Sequence, residues 1–137
     1  MSSDISNDLR QLVALRAEYN CEYCRLPQLF SLHKHEPDHI LPRQHGGETE
    51  AENLALACFR CNRYKGPNVG FFDPLTGVLV PFFNPRTQSW KEHFSFEVAM
   101  IEPLTAEARV TVKILRINDS ERLDERQKLM EAEWFNE

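Results

Sequence analysis

Two short sequences decide the fold of this chain: Cys21-Glu22-Tyr23-Cys24 and Cys58-Phe59-Arg60-Cys61. Two residues between paired cysteines let both sulfurs meet one tetrahedral ion through a tight turn. The 33 residues between Cys24 and Cys58 exceed the usual spacer between zinc knuckles, so a substantial segment must loop out between them. We predict a closed structural Zn²⁺ site with Cys21, Cys24, Cys58 and Cys61 as ligands. Redox-active or reduced free thiols are the alternative.

The size and charge of the chain limit its possible fold and partners. A chain of 137 residues with 42% hydrophobic residues is long enough for one domain with its own core. A net charge of -5 is the wrong sign for a protein that coats nucleic acid non-specifically. The bases Arg60, Arg63 and Lys65 nevertheless fall within six residues, which allows a short, local phosphate footprint.

The first residues contain no basic segment followed by an apolar run, so no secretory signal is expected. The longest apolar stretch, residues 78–83, is interrupted by Pro81 and is too short to span a bilayer. These features predict a cytoplasmic protein with no membrane contact. In a reducing cytoplasm, paired cysteines are more often thiolate ligands than disulfides.

We expect a single domain over residues 1–137, with three segments: an N-terminal helix in 1–20, a zinc-clamped core in 21–66 and an extension in 67–137. The first helix carries Leu9, Leu12, Val13 and Leu15, with Ser6 or Asn7 as its cap.

The extension combines a hairpin with two helices. Residues 71–72 and 78–80 flank the turn sequence 73–77, which predicts a β-hairpin. Thr105 is the predicted cap of a helix over 106–117. A last helix begins at Asp119-Ser120 and runs through Leu123, Met130 and Trp134, with charged residues on its remaining faces.

The segment between the cysteine pairs carries a second chemistry. Asp38 and His39 stand between two prolines, and Asn53 and Asn62 follow. A carboxylate, an imidazole and two carboxamides are the groups needed for metal-assisted hydrolysis. Adjacent side chains on a regular strand point to opposite faces, so Asp38 and His39 can share a site only at a strand end or irregularity. Pro42 and the following glycines favour such an end; alone, an Asp-His pair is more often a surface feature.

Taken together, these residues resemble the HNH endonuclease family with its ββα-metal active site. The resemblance rests on the order and spacing of Asp38-His39-Ile40, Gly46-Gly47, Asn53-Leu54, Cys58-x-x-Cys61-Asn62 and Lys65-Gly66, about a third of the chain. It implies an α+β fold in which two antiparallel strands are followed by a helix and straddled by the metal. The first strand would end near residues 38–39, the second would cover 54–57, and the helix would follow Cys58.

The resemblance also implies roles for individual residues. His39 would act as general base on a water, and Asn53 would orient its ring through the side-chain carbonyl. Asp38 and Asn62 would hold a divalent ion that keeps its other positions for water and phosphate. The expected products are 5′-phosphate and 3′-hydroxyl ends. Asn62 stands where family members often carry histidine, and an amide oxygen favours Mg²⁺ or Mn²⁺ over softer ions.

Five basic residues are candidates for substrate binding: Lys65, Arg63, Arg60, Arg43 and His45. Lys65 is the favoured phosphate contact, and solvated positions are the alternative for the others. The implied partner is nucleic acid, with DNA preferred over RNA. Whether the chain acts as a homodimer or with a protein that targets it stays open.

Three function classes remain at this point. A metal-dependent DNA endonuclease is the leading hypothesis. A zinc-stabilised nucleic-acid-binding module without cleavage is the alternative, and a scaffold protein that uses the acidic last helix is the third. The complete set of Asp38, His39, Asn53 and Asn62 favours the enzyme.

Overall fold

The computed structural model describes residues 5–133. Within this range, five α-helices and three short 3-10 helices accompany three separate two-stranded antiparallel sheets, which confirms the predicted α+β class. The elements are α1 (Asn7–Arg16), β1 (Glu36–His39), β2 (Leu54–Ala57), α2 (Phe59–Lys65), β3 (Gly70–Phe72), β4 (Leu79–Pro81), α3 (Trp90–His93), β5 (Phe94–Glu97), β6 (Met100–Pro103), α4 (Ala106–Ile114) and α5 (Ser120–Glu131). No helix among these residues has the length and apolar content to cross a membrane.

The ββα unit lies at the predicted positions. Strands β1 and β2 pair antiparallel, with Asp38 opposite Ala55 and His39 opposite Leu54. Helix α2 begins directly after Cys58, whose side chain accepts a hydrogen bond from the backbone N–H of Cys61 and caps the helix. All four side chains of β2 are buried, so the strand forms the centre of the unit.

Helix α1 covers the outer face of this unit. Ser6 is the cap, accepting a hydrogen bond from the N–H of Leu9 at 3.2 Å. Val13 is fully buried, and Arg16 donates to the carbonyl of Leu54 at 2.7 Å. The predicted amphipathic helix is therefore confirmed, although Leu12 and Leu15 remain about half exposed.

The hairpin β3–β4 is confirmed, and its turn is held by one carboxylate. Asp73 accepts two hydrogen bonds from the guanidinium of Arg109, both at 2.8 Å, and tethers the turn to α4. A second hairpin, β5–β6, was not predicted from the sequence. Its inward side chains join an aromatic core in which Phe94 packs edge-on against Phe83 and stacks on Trp90.

The last two helices close the fold over the cysteine pairs. Thr105 caps α4, as predicted, by accepting from the N–H of Ala108. Helix α5 begins at Ser120, as predicted, and its apolar residues Leu123 and Met130 are partly buried. Its buried residues are Arg122 and Arg126. Trp134, predicted on the same face, lies outside the described residues.

Candidate active site and metal centre

The four cysteines form one cluster beneath α2. Their sulfur atoms all lie within 4.8 Å of one another, and each residue is buried. The Sγ atoms of Cys24 and Cys58 are 3.7 Å apart. Zn–S bonds of about 2.3 Å at tetrahedral angles place two sulfurs about 3.8 Å apart, so the spacing fits a zinc ion. Four sulfurs complete the coordination, which leaves no open position for catalysis.

The turn geometry and the thiol electrostatics also fit a metal centre. The backbone N–H groups of Cys24 and Cys61 point at the sulfurs of Cys21 and Cys58, each at 3.4 Å, as in paired zinc knuckles. Burial raises the pKa of Cys21 and Cys61, whereas hydrogen bonds from the neighbouring thiols lower the pKa of Cys24 well below its usual value. Cys24 therefore favours the thiolate, whereas burial disfavours a charge on Cys21 and Cys61, as expected for sulfurs that need a cation beside them.

A buried arginine lies against this cluster. Arg122 is 5% exposed and donates from Nη2 to the sulfur of Cys61 at 3.1 Å and toward that of Cys58 at 3.8 Å. Its Nη1 donates to the carbonyl of Leu115 at 2.7 Å. Burial acts to lower the pKa of Arg122, but the charges of the thiolates outweigh it and raise that pKa. Nothing in the sequence marked this residue, because it lies 61 positions from Cys61 and within a helix of mixed charge.

The candidate catalytic side chains meet at the end of β1. Asp38, His39 and Asn62 all line one cavity of about 420 Å³. Asp38 and His39 occupy the last two positions of β1, so the strand end allows both to reach it, as the sequence predicted. Asn62 comes from the middle of α2. Residues 42–44, Pro37, Gly66 and Pro67 complete the cavity wall.

Two buried side chains contact the carboxylate of Asp38. Its Oδ2 accepts from the hydroxyl of Tyr23 at 3.2 Å and lies 3.1 Å from the ammonium nitrogen of Lys65. No hydrogen bond to Oδ1 is present within residues 5–133, so one oxygen remains for a ligand in the cavity. Burial raises the pKa of Asp38, and the charge of Lys65 opposes that rise.

Lys65 points into the protein, not toward a substrate as predicted. The residue is 1% exposed, and its ammonium also donates to the backbone carbonyls of His39 and Ile40 at 3.1 and 3.4 Å. The prediction that Lys65 contacts substrate phosphate is therefore corrected: its charge is directed at Asp38 and at the strand end. Helix α2 is thereby fastened to β1 at the point where the candidate site forms.

The imidazole of His39 is held by one nitrogen. Its Nε2 lies 2.9 Å from the hydroxyl oxygen of Thr49, and no hydrogen bond to Nδ1 is present among the described residues. Burial lowers the pKa of His39, with a smaller contribution from the charge of Lys65. The ring is therefore neutral near pH 7 and can accept a proton. Thr49 was not singled out by the sequence, because nothing local connects it to a histidine ten residues earlier.

Asn53 does not orient the imidazole, which corrects the predicted role. Its side-chain carbonyl accepts from the N–H of Leu41 at 2.9 Å, and its amide donates to the carbonyls of Leu41 and Glu48. These three bonds close the loop between β1 and β2. Gly47 is required in the same place, since a Cβ there would lie 1.7 Å from the carbonyl oxygen of Leu41. Asn53 thus holds the backbone of the loop that carries Thr49, the hydrogen-bond partner of His39.

The other predicted basic residues divide between two surfaces. Arg43 lines the candidate cavity, and His45 reaches the carbonyl of Pro67 at 3.0 Å beside it. Arg60 and Arg63 do not line that cavity; they line a second concavity on another face of α2. The structure therefore separates side chains that the sequence placed in one substrate-binding group.

Comparisons with known proteins agree with this geometry. Residues 21–68 match the model of the HNH endonuclease family, and this range contains both cysteine pairs, the candidate cavity residues and Asn53. Over 81 residues, or 55% of the chain, the sequence is 40% identical to the CRISPR-associated endonuclease Cas9 of Corynebacterium diphtheriae. The chain spans 7% of the length of that protein. The predicted resemblance is confirmed for this segment, and both matches support a nuclease.

Proposed function

We propose that this chain, whose residues 21–68 form an HNH endonuclease domain, is a metal-dependent endonuclease that hydrolyses phosphodiester bonds in DNA. The observation that carries the proposal is the meeting of Asp38, His39 and Asn62 at one cavity. A carboxylate, a neutral imidazole and a carboxamide combine a proton acceptor with oxygen donors for a hard cation.

His39 acts as the general base. When Nε2 carries the proton and donates to Thr49, the lone pair of Nδ1 is free to take a proton from the attacking water. The lowered pKa of His39 keeps the ring in the accepting form near neutral pH. The imidazole of His39 is partly exposed, which leaves room for a water molecule and for the phosphate that this water attacks.

Asp38 and Asn62 supply oxygen donors for Mg²⁺ or Mn²⁺. Both side chains face the cavity, and the hydrogen bonds to Oδ2 of Asp38 leave its other oxygen available. When bound, such an ion would neutralise charge on the phosphate and on the leaving oxygen. The positive charge of Lys65 supports the ionised form of Asp38, which is the form that a cation requires.

A cleavage assay tests the proposal. Supercoiled plasmid is incubated with Mg²⁺ or Mn²⁺ and with the wild type, His39→Ala, Asn62→Ala or the control Lys91→Ala, an exposed residue of α3. We expect nicking by the wild type and the control. Loss of a general base should lower the rate by about 10²–10⁴-fold.

Two measurements make the result unambiguous. One zinc per chain and an unchanged circular dichroism spectrum would show that a silent variant is folded. DNA binding without any metal-dependent cleavage by the wild type would contradict the enzyme and leave a nucleic-acid-binding module. Cleavage that persists in His39→Ala would contradict the assignment of the base.

A further inference from the structure

A second concavity lies on a face of α2 that the candidate active site does not use. We call it the arginine cleft; its volume is about 580 Å³. Its walls are the segment 24–33, helix α2 and the region where α4 leads into α5. Five arginines and one acidic residue line it: Arg60, Arg63, Arg116, Arg122, Arg126 and Glu125. This concentration of positive charge contrasts with the net charge of -5 of the whole chain.

Three of these arginines have partners inside the protein. Arg60 forms a two-pronged ion pair with Glu125, at 2.8 and 2.9 Å. Arg122 is directed at the cysteine sulfurs. Arg126 donates to the backbone carbonyl of Ala99 at 2.6 Å and to further oxygens of the fold. These three charges shape the cleft but are not available to a ligand.

The other two arginines are available. Arg63 is exposed, and its guanidinium makes no hydrogen bond or ion pair with the residues that the structure describes. Arg116 is also exposed; its guanidinium lies 4.6 Å from the ring centroid of Tyr64, with no acidic partner in residues 5–133. A guanidinium that rests on an aromatic ring keeps its N–H edge free for an anion.

An aromatic surface stands beside these charges. The rings of His33 and Phe59 are stacked, with centroids 4.5 Å apart and an angle of 28° between their planes. Phe59 is 45% exposed, and the neighbouring Leu32 is fully exposed. Exposed rings next to free guanidinium groups are the combination that binds unpaired bases and their phosphates.

We infer that the arginine cleft binds single-stranded nucleic acid, with Arg63 and Arg116 on phosphates and the stacked pair His33–Phe59 on a base. This inference rests on the proposed function, since it extends the path of the same substrate. Asn62 of the candidate site and Arg63 of the cleft are consecutive in α2. A strand that leaves the catalytic cavity therefore needs to pass only around one helix, about 10 Å across, to reach the cleft.

A binding experiment with a non-cleaving protein tests this inference. Full-length His39→Ala is titrated against a fluorescently labelled single-stranded oligonucleotide at several salt concentrations, and anisotropy gives the affinity. The test variant adds Arg63→Gln and Arg116→Gln. The control adds Lys91→Gln and Lys113→Gln, two exposed lysines elsewhere, and so removes the same charge.

Each phosphate contact on a single strand contributes about 0.7 to the slope of log affinity against log salt. We expect the double arginine variant to lose about 1.4 from this slope, while the lysine control keeps it. In the same background, Phe59→Ala should weaken single-strand binding about fivefold and duplex binding much less. All three positions are exposed, so the variants should keep the circular dichroism spectrum of the parent.

Three outcomes would overturn the inference. An unchanged slope in the arginine variant would show that the cleft does not bind the strand. An equal change in the lysine control would show that only overall charge matters. Poly-glutamate binding that depends on Arg63 and Arg116, with DNA binding unaltered, would assign the cleft to an acidic polypeptide. Because the readout is binding, a wild type without nuclease activity would contradict the proposed function and leave this test standing.

Discussion

Replacement of Arg122 by methionine should weaken zinc binding more than it disturbs any other part of the protein. Methionine keeps much of the buried volume but removes the guanidinium that lies 3.1 Å from the sulfur of Cys61. It also leaves the carbonyl of Leu115 without the donor at 2.7 Å. Two losses follow: the thiolate cluster loses its nearest cation, and α5 loses one attachment to the α4–α5 connection.

These contacts set the expected loss of stability and of zinc affinity. A hydrogen bond to a charged group contributes about 1.5–3 kcal/mol, and removal of one partner from a buried charged pair costs about 3–5 kcal/mol in stability. If the bond to sulfur acts wholly through the metal, zinc affinity falls about ten- to a hundredfold, since about 1.4 kcal/mol corresponds to tenfold.

Helix α5 offers a matched control. Arg126 is as buried as Arg122, at 4% against 5% exposure, but its guanidinium donates to oxygen atoms, among them the carbonyls of Ala99 and Ile117. Arg126→Met should therefore lower stability without the same loss of zinc affinity. Competition with a zinc-sensitive chelator dye measures affinity, and urea denaturation of the zinc-loaded protein measures stability. Wild-type zinc affinity in Arg122→Met, or an equal loss in Arg126→Met, would refute the reasoning.

Three further predictions concern single side chains. Thr49→Val should lower the cleavage rate about tenfold without a loss of stability, because the His39 ring loses the bond that orients it; an unchanged rate would exclude that role. Gly47→Ala should abolish cleavage and alter amide spectra of the β1–β2 loop, since a Cβ there collides with a backbone carbonyl; a normal spectrum would contradict this. Arg109 holds the pKa of Asp73 well below its usual range, so the stability from this pair is complete above about pH 4 and declines at lower pH. The stability difference between wild type and Asp73→Asn should therefore shrink in urea titrations below about pH 4, and a difference that is constant with pH would contradict the linkage.

The parts that followed from the sequence are those set by short-range rules. Cysteine spacing located the metal cluster, and the boundaries of β1, β2 and α2 came close to those implied by the family resemblance. The caps at Ser6 and Thr105 were also identified, because capping depends on a few consecutive residues. The same holds for the β3–β4 hairpin, whose turn carries Asp73 and Gly77.

The errors arose where the partner of a side chain is distant in sequence. Because Lys65 follows two arginines on one helix, the sequence predicted a phosphate contact. In the structure its side chain is buried and forms an ion pair with Asp38, 27 positions earlier. The family resemblance predicted a hydrogen bond from Asn53 to His39. In the structure the Asn53 side chain forms hydrogen bonds with the backbone of the loop between the two residues. Hairpin β5–β6 carries no strong turn signal, and its strands are stabilised by packing in the aromatic core.

The sequence by itself determined that four thiolates clamp a ββα unit and that a carboxylate, an imidazole and a carboxamide lie within it. The spacing of these residues in the sequence is enough for this prediction, because the conformation of a turn or a strand end depends on only a few consecutive residues. Only the tertiary structure decided which charges face inward and which face outward. Lys65 and Arg122 are buried because each meets an anionic partner that offsets the cost of leaving water, while Arg63 and Arg116 meet none within residues 5–133 and lie at the surface. That division depends on contacts across the whole chain, and no local pattern of residues encodes it.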